Sequence, residues 1–174
     1  MSEEQAPESR PTRVVVWHRS SAMPPEDPRR DVLRRLRDLE AAGQLDEVTV
    51  RTWGKSVPCD EIDEDRAGLE RSDVANRIAD FRSWATRTDR SLEPAFCRAS
   101  RTTMTSDRET EVLRLPMQCL AVYGGDRLVD LYPNTTSEGP RTVRDGLGAL
   151  AETVQSDGVR ADGSNGPAPS SRPG

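Results

Sequence analysis

Val14-Val15-Val16-Trp17 narrows the possible folds more than any other segment, because it sets four apolar residues in a row, three of them β-branched, with no polar position left to face water. A strand with one wet face alternates apolar and polar residues. An unbroken run therefore belongs to a central strand covered on both sides, as in sheets flanked by helices. Next, Asp27 and Pro28 supply a helix cap and a first-turn residue whose missing N–H is not needed there, and Val32, Leu33, Leu36 and Leu39 recur at helical spacing until Gly43. Arg34, Arg35 and Arg37 mostly take the opposite face. Val48-Thr49-Val50-Arg51-Thr52-Trp53 is a second β-branched segment, and the intervening helix is long enough to cross over and set it parallel to the first. The front of the chain reads as a βαβ unit.

Beyond it, an acidic loop from Asp60 to Asp65 leads to a strongly periodic helix from about Ser72 to Thr88, with Val74, Ile78, Phe81, Trp84 and Ala85 on one stripe. Ala95 to Arg101 reads as a short strand or edge segment, and Met104 to Thr110 as a polar loop. Leu115 to Tyr123 and Leu128 to Tyr132 are apolar runs separated by Gly124-Gly125-Asp126-Arg127, where two glycines are expected to supply the positive φ of a tight antiparallel hairpin. After Pro133, Thr142 with Asp145 three residues on forms a variant capping box ahead of a helical stripe of Val143, Leu147 and Leu150. The expected fold is α/β, with a mixed sheet in the order β-α-β-α-(β)-β-β-α and helices packed on it.

The 174 residues allow one core, expected over residues 12–153, between disordered tails at 1–11 and 154–174 that hold too little apolar surface to offset the entropy of ordering them. No stretch approaches the roughly twenty apolar residues of a membrane span, and Ser2-Glu3-Glu4 is acidic where a secretory signal would be basic, so a cytoplasmic location is expected. Cys59, Cys97 and Cys119, odd in number and widely spaced, read as reduced thiols. Lys55 is the only lysine among 25 basic residues, against 30 acidic ones, for a net charge of −5. An excess of carboxylates almost without lysine keeps a surface hydrated when salt screens other interactions, which points to a halophilic source with an acidic surface.

Two resemblances follow from particular segments. Leu115-Pro116-Met117, an apolar strand, the Gly-Gly hairpin, a second strand and a helix resemble the close of thioredoxin-like domains. That resemblance implies a cis geometry at Pro116 facing a site, but the place of the family's redox pair holds Arg19-Ser20-Ser21-Ala22-Met23-Pro24-Pro25, without CxxC. Over most of Val14 to Leu150 the chain also resembles small haloarchaeal proteins labelled helix-turn-helix domain proteins, whose role is not established. Arg51-Thr52-Trp53-Gly54-Lys55, Asp80-Phe81-Arg82-Ser83-Trp84-Ala85, Ser91-Leu92-Glu93-Pro94-Ala95-Phe96 and Leu115 to Tyr123 carry that likeness.

The chemistry-bearing motifs are each incomplete. Thr88-Asp89-Arg90-Ser91 has the length of a helix-turn-helix turn, but Pro94 falls too early in the segment that would be the recognition helix. Arg77, Arg82, Arg87, Arg90, Arg98 and Arg101 are available for phosphate, with acids interleaved. An EF-hand starting at Asp63 would need ligands where Ala67 and Val74 stand. Gly146-Leu147-Gly148-Ala149-Leu150-Ala151 matches a dinucleotide fingerprint only as a string, since it lies inside a helix and there lets the helix approach a neighbour closely. His18, the single histidine, and the dispersed cysteines form no ligand set, so no catalytic, cofactor or metal residue is expected. Trp53-Gly54-Lys55, an aromatic at a strand end beside the only lysine, is the strongest partner-binding candidate, with Pro116.

The reading is a non-enzymatic binding or regulatory domain with an unidentified protein partner and no cofactor. One alternative is a helix-turn-helix DNA-binding regulator contacting DNA through Arg87 and Arg90. The other is a degenerate thiol oxidoreductase working through Cys119 beside Pro116.

Overall fold

The structure is a computed structural model that describes residues 12–63 and 72–159. The chain passes through β1 (Thr12–Arg19), α1 (Pro28–Ala41), β2 (Glu47–Trp53), β3 (Ser56–Pro58), α2 (Cys59–Asp63), α3 (Asp73–Arg87), β4 (Cys97–Thr103) and β5 (Ser106–Arg114). β6 (Gln118–Gly124), β7 (Arg127–Tyr132), β8 (Asn134–Thr136), β9 (Gly139–Arg141) and α4 (Val143–Val159) follow. The result is a mixed α/β fold with helices packed on a mixed sheet.

Four strands build the main sheet in the order β2-β1-β6-β7, with β1 parallel to β2, antiparallel to β6, and β6 antiparallel to β7. The two-residue period of a strand explains why β1 is apolar throughout. Val14 and Val16 face one side, covered by Val32 and Leu36 of α1 and by Leu147 and Leu150 of α4. Trp17 faces the other, with Ile78, Phe81 and Trp84 of α3. β6 repeats the division, with Leu120 and Val122 on the first side and Cys119, Ala121 and Tyr123 on the second. At about 1.5–3 kcal/mol for each large apolar side chain removed from water, these two layers hold the helices on the sheet.

Local signals set the helix ends. The Asp27 carboxylate accepts the Arg29 N–H at 2.9 Å ahead of α1, and Gly43 (φ +74°) closes it. The Ser72 hydroxyl accepts the Ala75 N–H at 3.2 Å ahead of α3. Ahead of α4, the Asp145 carboxylate accepts the Thr142 N–H at 2.6 Å and the Asp145 N–H reaches the Thr142 hydroxyl at 3.3 Å, the reciprocal box read from the sequence. Gly146 lies against the Tyr132 ring, where a Cβ would come within 2.5 Å of Cδ2, so this glycine gives the helix its close approach.

Several expectations are corrected. Met104 to Thr110 is no loop: β4 and β5 pair as a long antiparallel hairpin, and β3 joins β5 to make a second sheet, β3-β5-β4. Leu115 to Tyr123 is not one strand, because the chain breaks between β5 and β6 at Leu115-Pro116-Met117. The acidic run begins as a helical turn, α2, while 64 and 65 lie outside the described residues. In the main hairpin only Gly125 takes a positive φ (+62°), the pattern of a turn needing glycine at its first central position alone. The cis peptide bonds among the described residues precede Pro94 and Pro133, so Pro116 does not inherit the cis geometry. α4 continues to Val159. Residues 1–11 and 160–174, assigned above to tails, lie outside the described residues.

Candidate anion-binding site

The carboxyl ends of β1 and β2 are laced to the segment that joins the two sheets. The Ser20 N–H donates to the Trp53 carbonyl at 2.8 Å, the Arg19 N–H to the Met117 carbonyl at 2.9 Å, and the Leu115 N–H to the Lys55 carbonyl at 3.0 Å. The Trp53 indole N–H donates to the Pro116 carbonyl at 3.1 Å, and the Arg19 guanidinium donates to the Leu115 carbonyl. These bonds fix Arg19 and Lys55 beside the second sheet.

A cavity of about 390 Å³ opens at this junction, lined by Arg19, Lys55, Arg101 and Arg114 and by Ser56, Ala99, Ser100 and Val112. Strand register explains the convergence. Arg114 sits opposite Ser56 and Cys97, Val112 opposite Ala99, and Thr110 opposite Arg101, so these residues share one face of the sheet. No carboxylate lines the cavity, and none of its four cations makes an ion pair among the described residues. The buried Nε of Arg19 also has no hydrogen-bond partner there.

The opposite face of the same sheet is acidic, with part of its charge paired. Leu113, Glu111 and Glu109 point that way at alternate positions, and Arg98, opposite Leu113, meets Asp63 at 2.7 Å and Glu111 at 3.6 Å. Asp63 also meets Arg82 at 2.6 Å, and the hydrogen bonds from Arg82 and Arg98 hold its carboxyl below the usual range. One face of the hairpin therefore carries carboxylates, some of them in ion pairs, and the other carries cations that make no ion pair among the described residues.

Trp53 and Pro116 meet through the indole hydrogen bond, and Lys55 lines the cavity beside them. The Trp53 ring itself is buried, stacked on Trp17 at 5.3 Å and edge-on to Phe96 at 5.9 Å, so it positions the site from the core. Arg87 and Arg90 are not brought together: Arg87 lines an open cleft with Arg77, Asp80 and Asp126, and Arg90 lies over clefts holding Asp89 or Glu93. After α3 the chain turns at Asp89 (φ +54°), bridges from Ser91 to Thr135, and enters β4 without a second helix. Arg19 and Arg114 were not named for anion contact from the sequence, and Arg101 was named only as one of six arginines available for phosphate.

His18 is buried at the end of β1. Its Nδ1 lies 3.4 Å from the Gln118 amide, and its Nε2 has no partner. Burial and the nearby Arg29 cation push its pKa below the ordinary value, while Asp27 pulls it upward. Asp27 itself is held down at about 2 by its hydrogen bonds from Arg29. Burial pushes the Cys119 thiol far above its ordinary range and raises Cys59 as well, which opposes the thiolate that thiol catalysis requires. No three His, Cys, Asp or Glu side chains converge to hold a metal among the described residues, and no helix there is long and apolar enough to cross a membrane.

Fold and site together define a two-sheet α/β domain with a cationic cavity at the junction of the sheets. Residues 6–155 match the model of a family described as a helix-turn-helix domain, and the chain belongs to that family. No curated protein and no solved structure matches it.

Proposed function

We propose that the chain is a non-enzymatic binding domain of regulatory type, with a thioredoxin-like architecture, whose ligand is an anion held by Arg19, Lys55, Arg101 and Arg114. The architecture draws support from the strand order β2-β1-β6-β7, with α1 and α4 on one face and α3 on the other. The observation that carries the functional reading is the convergence of four cations with no ion pair and no carboxylate beside them among the described residues, in a chain of net charge −5. Like charges gathered in one concavity repel, and an anion relieves that repulsion while satisfying donors such as Arg19 Nε. Trp53 and Pro116 act as positioning residues and Lys55 as a contact, in a protein acting in the cytoplasm.

Calorimetry with inorganic tripolyphosphate tests this. Saturable binding that weakens at least about tenfold in Arg101→Glu and Arg114→Glu is expected. A flat titration of the unaltered chain rejects the reading.

A second reading, a DNA-binding regulator using α3 and the segment after it through Arg87 and Arg90, is favoured by the family description. The two arginines lie over separate clefts that also hold carboxylates, which weighs against them as a joint phosphate clamp. Loss of duplex affinity on replacing Arg87 and Arg90, with Arg101 and Arg114 intact, would support this second reading over the first.

A further inference from the structure

We infer that the anion is the phosphate backbone of duplex nucleic acid, on which the cationic face of the β4–β5 hairpin lies flat without reading base sequence. This rests on the anion-binding reading above and names its partner.

The first argument is length. By register, Arg114 stands opposite Cys97 and Arg101 four residues further along β4, so the two cations are rooted about 14 Å apart at roughly 3.4 Å per residue. Successive phosphates of one strand rise about 3.4 Å each along the helix axis, so that separation reaches past a single phosphate to its neighbours on the same strand. An elongated polyanion matches such a row better than a single compact anion.

The second argument is the asymmetry of the hairpin. A ribbon pushed into a groove meets both walls, and here the reverse face would press the exposed carboxylates of Glu109 and Glu111 toward phosphates. Only the Arg101–Arg114 face suits a polyanion, so the hairpin rests on one backbone and does not reach the base edges.

The surface also favours duplex over single strand. Proteins that hold single strands stack bases on exposed aromatic rings. All seven aromatic side chains of this chain are in the core, none more than 5% exposed. The surface offers cations and no stacking platform, which suits a backbone whose bases are already paired. Contact limited to phosphate fixes position and carries no direct sequence information.

Fluorescence anisotropy of two labelled 20-base-pair DNA duplexes of unrelated sequence, and of one constituent single strand, tests the inference on the full chain, with tripolyphosphate as competitor. The expected result is equal affinity for the duplexes within about twofold and affinity for the single strand at least about fivefold weaker. Arg101→Glu and Arg114→Glu should each lose at least about tenfold, and Arg34→Glu, the same charge change on the remote helix α1, should lose little. Log affinity should fall against log salt with a slope of about −3.6, from 0.9 per phosphate neutralised by the four cations Arg19, Lys55, Arg101 and Arg114. Unaltered emission from the buried tryptophans shows that each variant is folded. Tripolyphosphate binding at Arg101 and Arg114 with no duplex binding overturns this inference and leaves the anion site standing; absence of both removes both. Equal or tighter binding of the single strand, a strong preference between the duplexes, or duplex affinity indifferent to Arg101 and Arg114 also overturns it.

Discussion

Replacing Gly146 with alanine sets helix propensity against packing, and the structure says which wins. In an open helix, glycine to alanine gains about 1 kcal/mol, because alanine loses less backbone freedom on folding. At position 146 the new Cβ would stand 2.5 Å from Cδ2 of Tyr132 and 2.8 Å from Cε2 and Cγ, where carbon atoms are comfortable at about 3.5–4.0 Å. Roughly 1 Å of movement is required. The Tyr132 ring cannot give it easily, because it is buried, its hydroxyl donates to Asp130 at 2.5 Å and accepts from Arg141 at 2.6 Å, and the Arg141 guanidinium lies over its face. Overpacking of this kind costs about 1–3 kcal/mol. With contacts this short against a restrained ring, the upper end applies, leaving a net loss of about 2 kcal/mol. Gly148, two residues on, has nothing within 4 Å of its Cβ position, so Gly148→Ala should gain about 0.5–1 kcal/mol. Urea unfolding followed by tryptophan emission measures both. Gly146→Ala equal to or more stable than the unaltered chain, or Gly148→Ala clearly less stable, would refute the packing of α4 on Tyr132.

Two further outcomes follow from buried titratable groups. His18 has a folded-state pKa below its ordinary 6.5, so between those values the unfolded chain binds a proton that the folded chain refuses. Stability should be level above about pH 6.5 and fall as the pH drops below it, by at most about 1.4 kcal/mol per pH unit, the limit for one proton; the difference between the unaltered chain and His18→Gln isolates this slope, and parallel curves would contradict it. Burial raises both Cys59 and Cys119, so a thiol reagent near pH 7.5 should leave both untouched in the folded chain and modify them after unfolding, whereas rapid reaction of Cys119 in the native protein would restore the thiol-enzyme alternative.

The elements that were legible in the sequence bury a face. β1, α1 and α3 each present apolar residues at the period of their structure, and the sheet and helices that cover them explain why, while β2 buries only Val48 and Trp53 and leaves Val50 exposed. The β4–β5 hairpin gave no such signal, since from Arg101 to Glu111 the side chains the structure describes are exposed, leaving a strand pattern without apolar alternation that reads as a polar loop. Misreading that segment also hid the site. Lys55 stood out as the only lysine, but Arg19, Arg101 and Arg114 are scattered over 95 positions and meet only through strand register. One signal was present: along β5, Glu109 and Glu111 alternate with Thr110 and Val112 ahead of Arg114, which sorts acid and base onto opposite faces once a strand is assumed. Pro116 misled for a different reason, because the likeness to a thioredoxin-like close covered the strands on either side and not the peptide bond between them.

The backbone amide map of the isotopically labelled full chain during a tripolyphosphate titration is the most direct test of the cationic cavity. Shifts concentrated at Arg19, Lys55, Ala99 to Arg101 and Val112 to Arg114, with the amides of Arg87 and Arg90 unmoved, are predicted. Shifts centred on the end of α3, or spread evenly over every arginine, would contradict a built site on this face of the second sheet.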